Sequence, residues 1–258
     1  MGERTKYAPG TFCWVDLASS DQPAAKEFYA GLLGWEAEDI PVGDEAVYSM
    51  MSVGGKRVAA IGPQGETQRE AGAPAAWQSY VTVESADAAA ARASELGATV
   101  VADPFDVFDV GRMAVIRDPQ GAFFSVWEPR STIGAELVNA PGAFVWNELS
   151  SPDTVAASEF YGGLFGWDVA PFEGMDNYLL IRVGESSNGG ITAPQAPGTP
   201  PHWLVYFGVD DLDASLAKVG ELGGTTLAGP IDIQIARVGV VSDPQGAAFA
   251  LYDGQLDP

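Results

Sequence analysis

The sequence has little cysteine, histidine or positive charge. Its 258 residues include one cysteine, Cys13, and one histidine, His202. A lone thiol forms no internal disulfide, and its neighbours Phe12 and Trp14 are typical of a buried core position. Lys and Arg number 13 against 35 Asp and Glu, which gives a formal net charge of −22. A field of this sign repels phosphate backbones and anionic lipids, so we expect neither a nucleic-acid nor a membrane partner.

Long apolar runs are also missing. No stretch approaches the roughly 20 apolar residues of a membrane span, and the start MGERTKYAPG lacks the apolar core of a signal peptide. We therefore expect a cytoplasmic protein. The sequence also has no nucleophile triad, phosphate-binding loop or dinucleotide fingerprint, so it does not indicate the enzyme classes that depend on them.

The sequence does contain a repeat of itself. The segment FCWVDLASSDQPAAKEFYAGLLGW, which starts at Phe12, returns as FVWNELSSPDTVAASEFYGGLFGW from Phe144. Later in each half, RMAVIRDPQGAFFSVW from Arg112 returns as RVGVVSDPQGAAFALY from Arg237. Repetition in sequence implies repetition in fold. We therefore predict two homologous domains, 8–130 and 143–254, joined by a linker at 131–142.

The periodicity of apolar residues, together with the residues that begin helices, end helices and form turns, predicts the order of elements within a half. Residues 11–18 follow the alternating pattern of a strand. Asp21 is a candidate N-cap for a helix that ends at Gly34. Strand-like runs at 46–53 and 57–62 flank a turn at Gly54-Gly55. The cycle then restarts, with a strand at 77–84, a helix at 86–96 and strands at 98–102, 112–117 and 122–128. This order predicts an α+β fold of four βαβββ units with largely antiparallel pairing and helices on one face of a curved sheet.

Four motifs carry a family resemblance: Phe28-Tyr29-x-x-Leu-Leu-Gly-Trp, Phe160-Tyr161-x-x-Leu-Phe-Gly-Trp, Asp118-Pro-Gln-Gly and Asp243-Pro-Gln-Gly. With the repeated βαβββ order, they resemble the vicinal oxygen chelate superfamily, which includes glyoxalase I, bleomycin-resistance proteins and extradiol dioxygenases. The resemblance implies that paired units form two glyoxalase/bleomycin-resistance-like domains with cup-shaped mixed sheets, and that each cup carries the site. It leaves the reaction open, because the superfamily contains metal lyases, oxygenases, epimerases and proteins that only sequester a ligand.

The resemblance also places the metal ligands of metal-using members, and this chain has no suitable donors there. The positions carry Trp14 and Trp146, Ala59–Ala60 and Gly189–Gly190, Gln78 and Leu204, and Ser125 and Ala250. An indole cannot ligate a metal, and the other side chains are not the His or carboxylate that such a site uses. We therefore predict no metal and no other cofactor. The alternative is a divalent metal held by Glu148 and His202 in the second half.

Strand alternation predicts which side chains point into each cup. The predicted inward sets are Trp14, Asp16, Gln78, Tyr80, Phe123, Ser125 and Trp127 in the first half, and Trp146, Glu148, His202, Leu204, Tyr206, Ala250 and Tyr252 in the second. Aromatic faces with few polar groups suit a flat organic ligand, although such rings also pack simply as core. A buried carboxylate needs a partner, so we expect Arg112 and Arg237 to serve Asp16 and Glu148 as ion-pair partners or to anchor a ligand.

These observations predict metal-independent binding of a small aromatic metabolite, which the acidic charge suggests is cationic, in the manner of a sequestering resistance protein. Whether the protein is an enzyme stays open. The alternative is a lyase, isomerase or hydroxylase-like tailoring enzyme in which Asp16 or Glu148 acts as acid or base; a methylglyoxal-detoxifying glyoxalase ranks last. We expect a monomer or homodimer and unequal occupancy of the two cups. The sequence does not decide which βαβββ units pair.

Overall fold

The computed structural model describes residues 2–42, 46–70, 72–173 and 175–256. The elements of the first half are β1 Phe12–Ser19, α1 Gln22–Leu33, β2 Glu36–Val42, β3 Ala46–Val53, β4 Lys56–Pro63, α2 Glu66–Glu70, β5 Ala76–Thr82, α3 Ala86–Glu95, β6 Thr99–Val107, β7 Gly111–Arg117 and β8 Phe123–Pro129. Those of the second half are β9 Phe144–Ser150, α4 Thr154–Phe165, β10 Asp168–Pro171, β11 Tyr178–Val183, β12 Ser186–Thr192, β13 His202–Gly208, α5 Leu212–Glu221, β14 Thr225–Ile233, β15 Ala236–Ser242 and β16 Ala248–Gly254. Among the described residues, no helix is both long and apolar enough to span a membrane.

Local signals set the ends of the first helix of each half. The Asp21 side chain accepts a hydrogen bond from the Ala24 amide and begins α1, and Asp153 caps α4 through the Ala156 amide in the same way. Gly34 ends α1 in the left-handed conformation, with φ of 70°. Glycine adopts this conformation without the Cβ clash that other residues meet. The predicted start and end of α1 are confirmed.

Each half forms its own eight-stranded mixed sheet. The strand orders are β2-β3-β4-β1-β5-β8-β7-β6 and β10-β11-β12-β9-β13-β16-β15-β14. The two βαβββ units of a half meet where β1 runs antiparallel to β5, with Trp14 opposite Tyr80, and β9 meets β13 in the same way. The predicted α+β fold of four βαβββ units is confirmed, and the units pair within a half rather than between halves.

One face of each sheet is turned toward a shared core. Val15 and Leu17 of β1 are fully buried there, and Trp77 of β5 packs edge-on against Phe207 of β13 with ring centroids 5.0 Å apart. The two sheets are also joined by a hydrogen bond of 2.7 Å from the Ser79 hydroxyl to the Asn147 amide oxygen. Because side chains alternate along a strand, Trp14 and Asp16 lie on the opposite face. We call that opposite face of each sheet its cup face.

The motifs that carry the family resemblance join the two halves. The hydroxyl of Tyr161 on α4 donates to Asp118 Oδ2 across the interface at 3.0 Å and accepts from the Trp203 indole at 2.9 Å. The other oxygen of Asp118 accepts from the three backbone amides of Gln120, Gly121 and Ala122. We call the arrangement of Asp118, Tyr161 and Trp203 the first latch.

The repeat produces a second latch of the same design. Tyr29 on α1 donates to Asp243 Oδ2 at 3.1 Å and accepts from the Trp77 indole at 3.0 Å. Trp35, from the Gly-Trp end of the motif, stacks on Tyr29 with centroids 5.3 Å apart. Since every side chain of both latches is buried, these motif residues hold the halves together rather than line a cup.

Candidate functional site

The cup face of the first half holds a carboxylate between two tyrosines. The hydroxyls of Tyr48 and Tyr80 both donate to Asp16 Oδ2, at 2.9 and 2.8 Å. The Trp14 indole donates in turn to the Tyr48 hydroxyl at 3.2 Å. The strands fix this cluster, because Trp14 and Asp16 are alternate residues of β1, Tyr80 lies opposite Trp14 on β5, and Tyr48 extends from β3. We call these four residues the first carboxylate cluster.

The second half builds the same cluster from its own strands. Trp146 donates to the Tyr178 hydroxyl at 2.8 Å, and the hydroxyls of Tyr178 and Tyr206 both lie near enough to Glu148 to lower the pKa of its carboxyl. Tyr206 lies opposite Trp146 across β9 and β13, as Tyr80 lies opposite Trp14. The acid of this second carboxylate cluster is a glutamate, one methylene longer than the aspartate of the first.

Burial changes the acidity of both carboxyls. Removal from water raises the pKa of Asp16 from its ordinary 3.8 to about 6, and the hydrogen bonds from Tyr80 and Tyr48 offset part of that rise. The same desolvation raises the pKa of Glu148, again with two tyrosine hydroxyls acting in the opposite direction. Asp16 is therefore about half ionised near pH 6 and mostly a carboxylate at neutral pH.

Tyr48 and Tyr178 are candidate site residues that the sequence did not predict. The repeat carries the signal that could have found them, because each stands five residues before a Val-Gly pair at the end of its strand, Val53-Gly54 or Val183-Gly184. The second tyrosine also needs space. A Cβ atom on Gly190 would lie 2.0 Å from the Tyr178 hydroxyl, so the missing side chain makes room for the ring.

The expected ion pairs of Arg112 and Arg237 with the carboxylates are wrong. Arg112 lies on the same face of β7 as the buried Ala114 and Ile116, which is the face opposite the cup. Its guanidinium binds Asp87 at 2.7 Å and Asp106 at 2.8 Å.

In the second half, Arg237 pairs with Asp213 at 2.9 Å and Asp232 at 3.3 Å. Tyrosine hydroxyls, not guanidinium groups, therefore partner Asp16 and Glu148. The repetition of both arginines reflects an ion pair from each to the preceding helix of its unit, α3 or α5.

The structure places the remaining predicted residues around the two clusters. Gln78 lies opposite Asp16 and donates to the Ser125 hydroxyl at 3.1 Å. Trp127 is buried, and its indole donates to the backbone oxygen of Thr132 at 3.0 Å. Tyr252 bonds through its hydroxyl to the backbone oxygen of Gln255 at 3.1 Å.

The donor set does not fit a resident metal ion. Among the described residues there is no group of three or more His, Cys, Asp or Glu that could hold one. His202 lies opposite Ser150, whereas Leu204 lies opposite Glu148, and the His202 Nδ1 atom is 2.9 Å from the backbone oxygen of Pro200. The Glu148–His202 alternative thus offers two donors, whereas a catalytic zinc centre takes three protein ligands.

Comparison with known proteins defines the class to which this fold and site belong. The family model of the Glyoxalase/Bleomycin resistance protein/Dioxygenase superfamily matches residues 11–126, and that of a glyoxalase-like domain matches residues 146–252. The chain belongs to this superfamily, as the repeated motifs indicated, and has two such domains in tandem.

Two named relatives align with almost the whole chain. "Putative glyoxylase CFP32" of Mycobacterium tuberculosis is 42% identical over 255 residues, which is 97% of each chain. "Anthracycline biosynthesis protein DauV" of Streptomyces sp. strain C5 is 35% identical over 263 residues, covering 96% of this chain and 95% of the relative.

Solved structures share the fold at low sequence identity. The Mn(II)-bound glyoxalase from Novosphingobium aromaticivorans has a TM-score of 0.67 at 18% identity, covering 99% of this chain and 84% of that one. The 2,3-dioxygenase LapB from Pseudomonas sp. KL28 has a TM-score of 0.66 at 13% identity, covering 98% and 95%. The fold is therefore shared with a manganese-bound glyoxalase, whereas the corresponding face of this chain's first sheet carries an aspartate bonded to two tyrosines.

Proposed function

We propose that this protein binds a flat aromatic, cationic small molecule in its cups without a metal and returns it chemically unchanged. One observation carries the proposal: both tyrosine hydroxyls of the first carboxylate cluster bond to Asp16 Oδ2. Asp16 Oδ1 accepts no hydrogen bond from the described residues, and the side chain is partly exposed. A fixed, ionised oxygen that faces an aromatic surface suits a guest with an ammonium or hydroxyl donor.

The rings around Asp16 supply the apolar part of the site. Trp14 is largely buried and its indole N–H is bonded to the Tyr48 hydroxyl, so any part of it that a guest contacts is ring surface rather than a polar edge. Aromatic faces bind flat guests by stacking and bind cations through the negative charge of the π face. The net charge of −22 favours the approach of a cation over that of an anion.

The relative with a role in anthracycline biosynthesis supports a polycyclic aromatic guest. An anthracycline with an amino sugar combines a flat ring system, phenolic hydroxyls and an ammonium group, and these are the features that the first cluster can recognise. We therefore take such a compound as the probe for this chain.

The test is calorimetric titration of the purified protein with that anthracycline, followed by mass spectrometry of the recovered ligand. We expect saturable binding and recovery of the probe at unchanged mass. Ionic attraction to a carboxylate weakens with salt, so the affinity should fall as the ionic strength rises. Absence of saturable binding up to the solubility limit of the probe would contradict the proposal.

A second function is favoured by the pKa of Asp16, which burial raises to about 6. A carboxyl with a pKa near the working pH is suited to general acid or base chemistry. In this version Asp16 Oδ1 moves a proton on a hydroxyl or carbonyl of the aromatic substrate, which makes the protein a tailoring enzyme. A change in the structure of the recovered ligand, lost in Asp16→Asn, would favour this version over binding alone.

The proposed binding needs no metal ion, and this can be measured directly. Protein purified without chelator should contain far less than one equivalent of manganese, iron, nickel and zinc by elemental mass spectrometry. The reason is the donor set, which among the described residues offers no group of three metal-binding side chains. One equivalent of any of these metals per domain, retained through gel filtration, would contradict the prediction.

A further inference from the structure

The two cups differ at two pairs of equivalent positions, one pair on β5 and β13 and the other on β8 and β16. Gln78 lies opposite Asp16 in the first cup, and Leu204 lies opposite Glu148 in the second. Ser125 lies opposite Tyr80, and Ala250 lies opposite Tyr206. The first cup thus has two polar side chains where the second has two apolar ones. The carboxylate, its tyrosines and its tryptophan are otherwise repeated.

In the first cup, the polar pair extends the carboxylate cluster. Gln78 donates to the Ser125 hydroxyl at 3.1 Å, and Ser125 lies opposite Tyr80, whose hydroxyl donates to Asp16 at 2.8 Å. Gln78, which is partly exposed, and Ser125 therefore lie directly beside the carboxylate and its tyrosine. The amide oxygen of Gln78 accepts no hydrogen bond from the described part of the chain, so the first cup presents two open acceptors, Gln78 Oε1 and Asp16 Oδ1.

In the second cup, an apolar surface replaces this polar pair. Leu204, Tyr206, Val238 and Ala250 form a buried cluster separate from the main core, and it extends to the partly buried Trp146, Ile233, Val240, Ala248 and Tyr252. A hydroxyl on a guest would lose its water against Leu204 and Ala250 without gaining a partner there. A methyl group at the same place would gain from the burial.

We infer that the two cups take different guests: the first a flat aromatic molecule with hydrogen-bond donors at two edges, and the second one with a donor at one edge and an apolar group at the other. This inference rests on the proposed function and assigns its substrate classes. Gln78 and Leu204 are the specificity-determining residues, since each lies opposite the carboxylate of its own cup.

The experiment uses two probes that differ in one group, 2,7-dihydroxynaphthalene and 7-methyl-2-naphthol. Both keep a hydroxyl for the carboxylate. Binding is followed by nuclear magnetic resonance of the methyl groups of Met113 and Ala250, which lie on the first and second cup faces opposite Trp127 and Tyr206. In the wild-type protein, we expect the diol to shift the Met113 signal at lower concentration and the methyl compound to shift the Ala250 signal at lower concentration.

Reciprocal exchange of the two residues provides matched variants. In Gln78→Leu, the affinity of the first cup for the diol should fall roughly three- to tenfold, which is the net contribution of one hydrogen bond. In Leu204→Gln, the affinity of the second cup for the diol should rise relative to the methyl compound. Each variant introduces the residue that the other half already carries, and Ser125→Ala supplies a milder version of the first. Thermal unfolding verifies that all three variants are folded.

The outcomes separate the two claims. Equal preference of both cups for both probes, unchanged by the exchange, would overturn the inference and leave the proposed function standing. If neither probe shifts either methyl signal in folded protein that still binds the anthracycline, the inference fails and the proposed function stands; if the anthracycline does not bind either, both fail. A preference that follows the glutamine from one cup to the other supports both.

Discussion

Replacing Asp118 with alanine should lower the free energy of unfolding by about 3–5 kcal/mol, because it removes one partner from a buried hydrogen-bonded network. Asp118 is 4% exposed, and its side chain accepts hydrogen bonds from three backbone amides and from the Tyr161 hydroxyl. All four donors would be left in the interface between the halves without water to replace the carboxylate. Chemical denaturation measured by tryptophan fluorescence gives the value.

Two controls make this result specific to the latch. Asp243→Ala removes the corresponding carboxylate of the second latch, which accepts from Tyr29 and from the amides of Gln245 and Ala247, and should cost a similar amount. Asp103 is exposed, and replacing it with alanine should change stability by less than about 0.5 kcal/mol. If Asp118→Ala and Asp103→Ala unfold at the same denaturant concentration, the latch does not stabilise the protein.

Replacing Asp16 with asparagine should have opposite effects on stability and binding. Burial raises the pKa of Asp16 from 3.8 to about 6, so the folded protein holds this proton more tightly than the unfolded chain does. The stability that comes from the protonated form is therefore fully present below pH 4 and is lost as the pH rises through 6. At pH 8 the neutral asparagine should raise the free energy of unfolding by about 1–3 kcal/mol, and below pH 4 it should have little effect.

The same variant should weaken binding of the cationic anthracycline by roughly ten- to a hundredfold at pH 8, since a hydrogen bond to a charged group is lost. In the wild-type protein, the affinity should fall as the pH drops through about 6, where Asp16 takes up its proton. Titrations at pH 5, 6, 7 and 8 measure this dependence. A variant that is less stable than wild type at pH 8, or wild-type affinity that is independent of pH, would contradict the role given to Asp16.

Period-2 alternation was sufficient to place the inward residues of the first strands. Trp14 and Asp16 were predicted on one face from the buried pattern of Val15 and Leu17, and the structure has them there. The β2 strand could not be predicted in this way. Its sequence, EAEDIPV, is acidic and exposed along almost its whole length, so it has no alternation to detect and forms by pairing with β3.

The partners of the carboxylates were harder to predict because they come from strands that are distant in sequence. Tyr48 reaches Asp16 from a strand that begins about thirty residues later, and only the strand order brings the two together. An ion pair between Arg112 and Asp16 is a natural expectation from their charges. A strand turns alternate residues to opposite faces, however, and Arg112 pairs with Asp87 and Asp106 on the face away from the cup. The pairing of βαβββ units within a half also depends on tertiary contacts that no local pattern encodes.

The latches show why a family motif need not mark a binding site. The Phe-Tyr and Asp-Pro-Gln-Gly motifs identified the superfamily, yet Tyr161 and Asp118 meet in the interface between the halves. The residues that point into the cups, by contrast, carry no recognisable motif. A sequence can therefore reveal its family through residues that hold the fold together, while the ligand site that we propose lies at neighbouring positions on the other face of the sheet.

Metal dependence of ligand binding tests the account most directly. The measurement is a calorimetric titration with the anthracycline of protein stripped by EDTA, and of the same protein after manganese or iron is added back. We predict the same stoichiometry and the same dissociation constant in both, because the guest is held by Asp16, its tyrosines and the surrounding rings. Binding that appears only when the metal is restored would contradict the account.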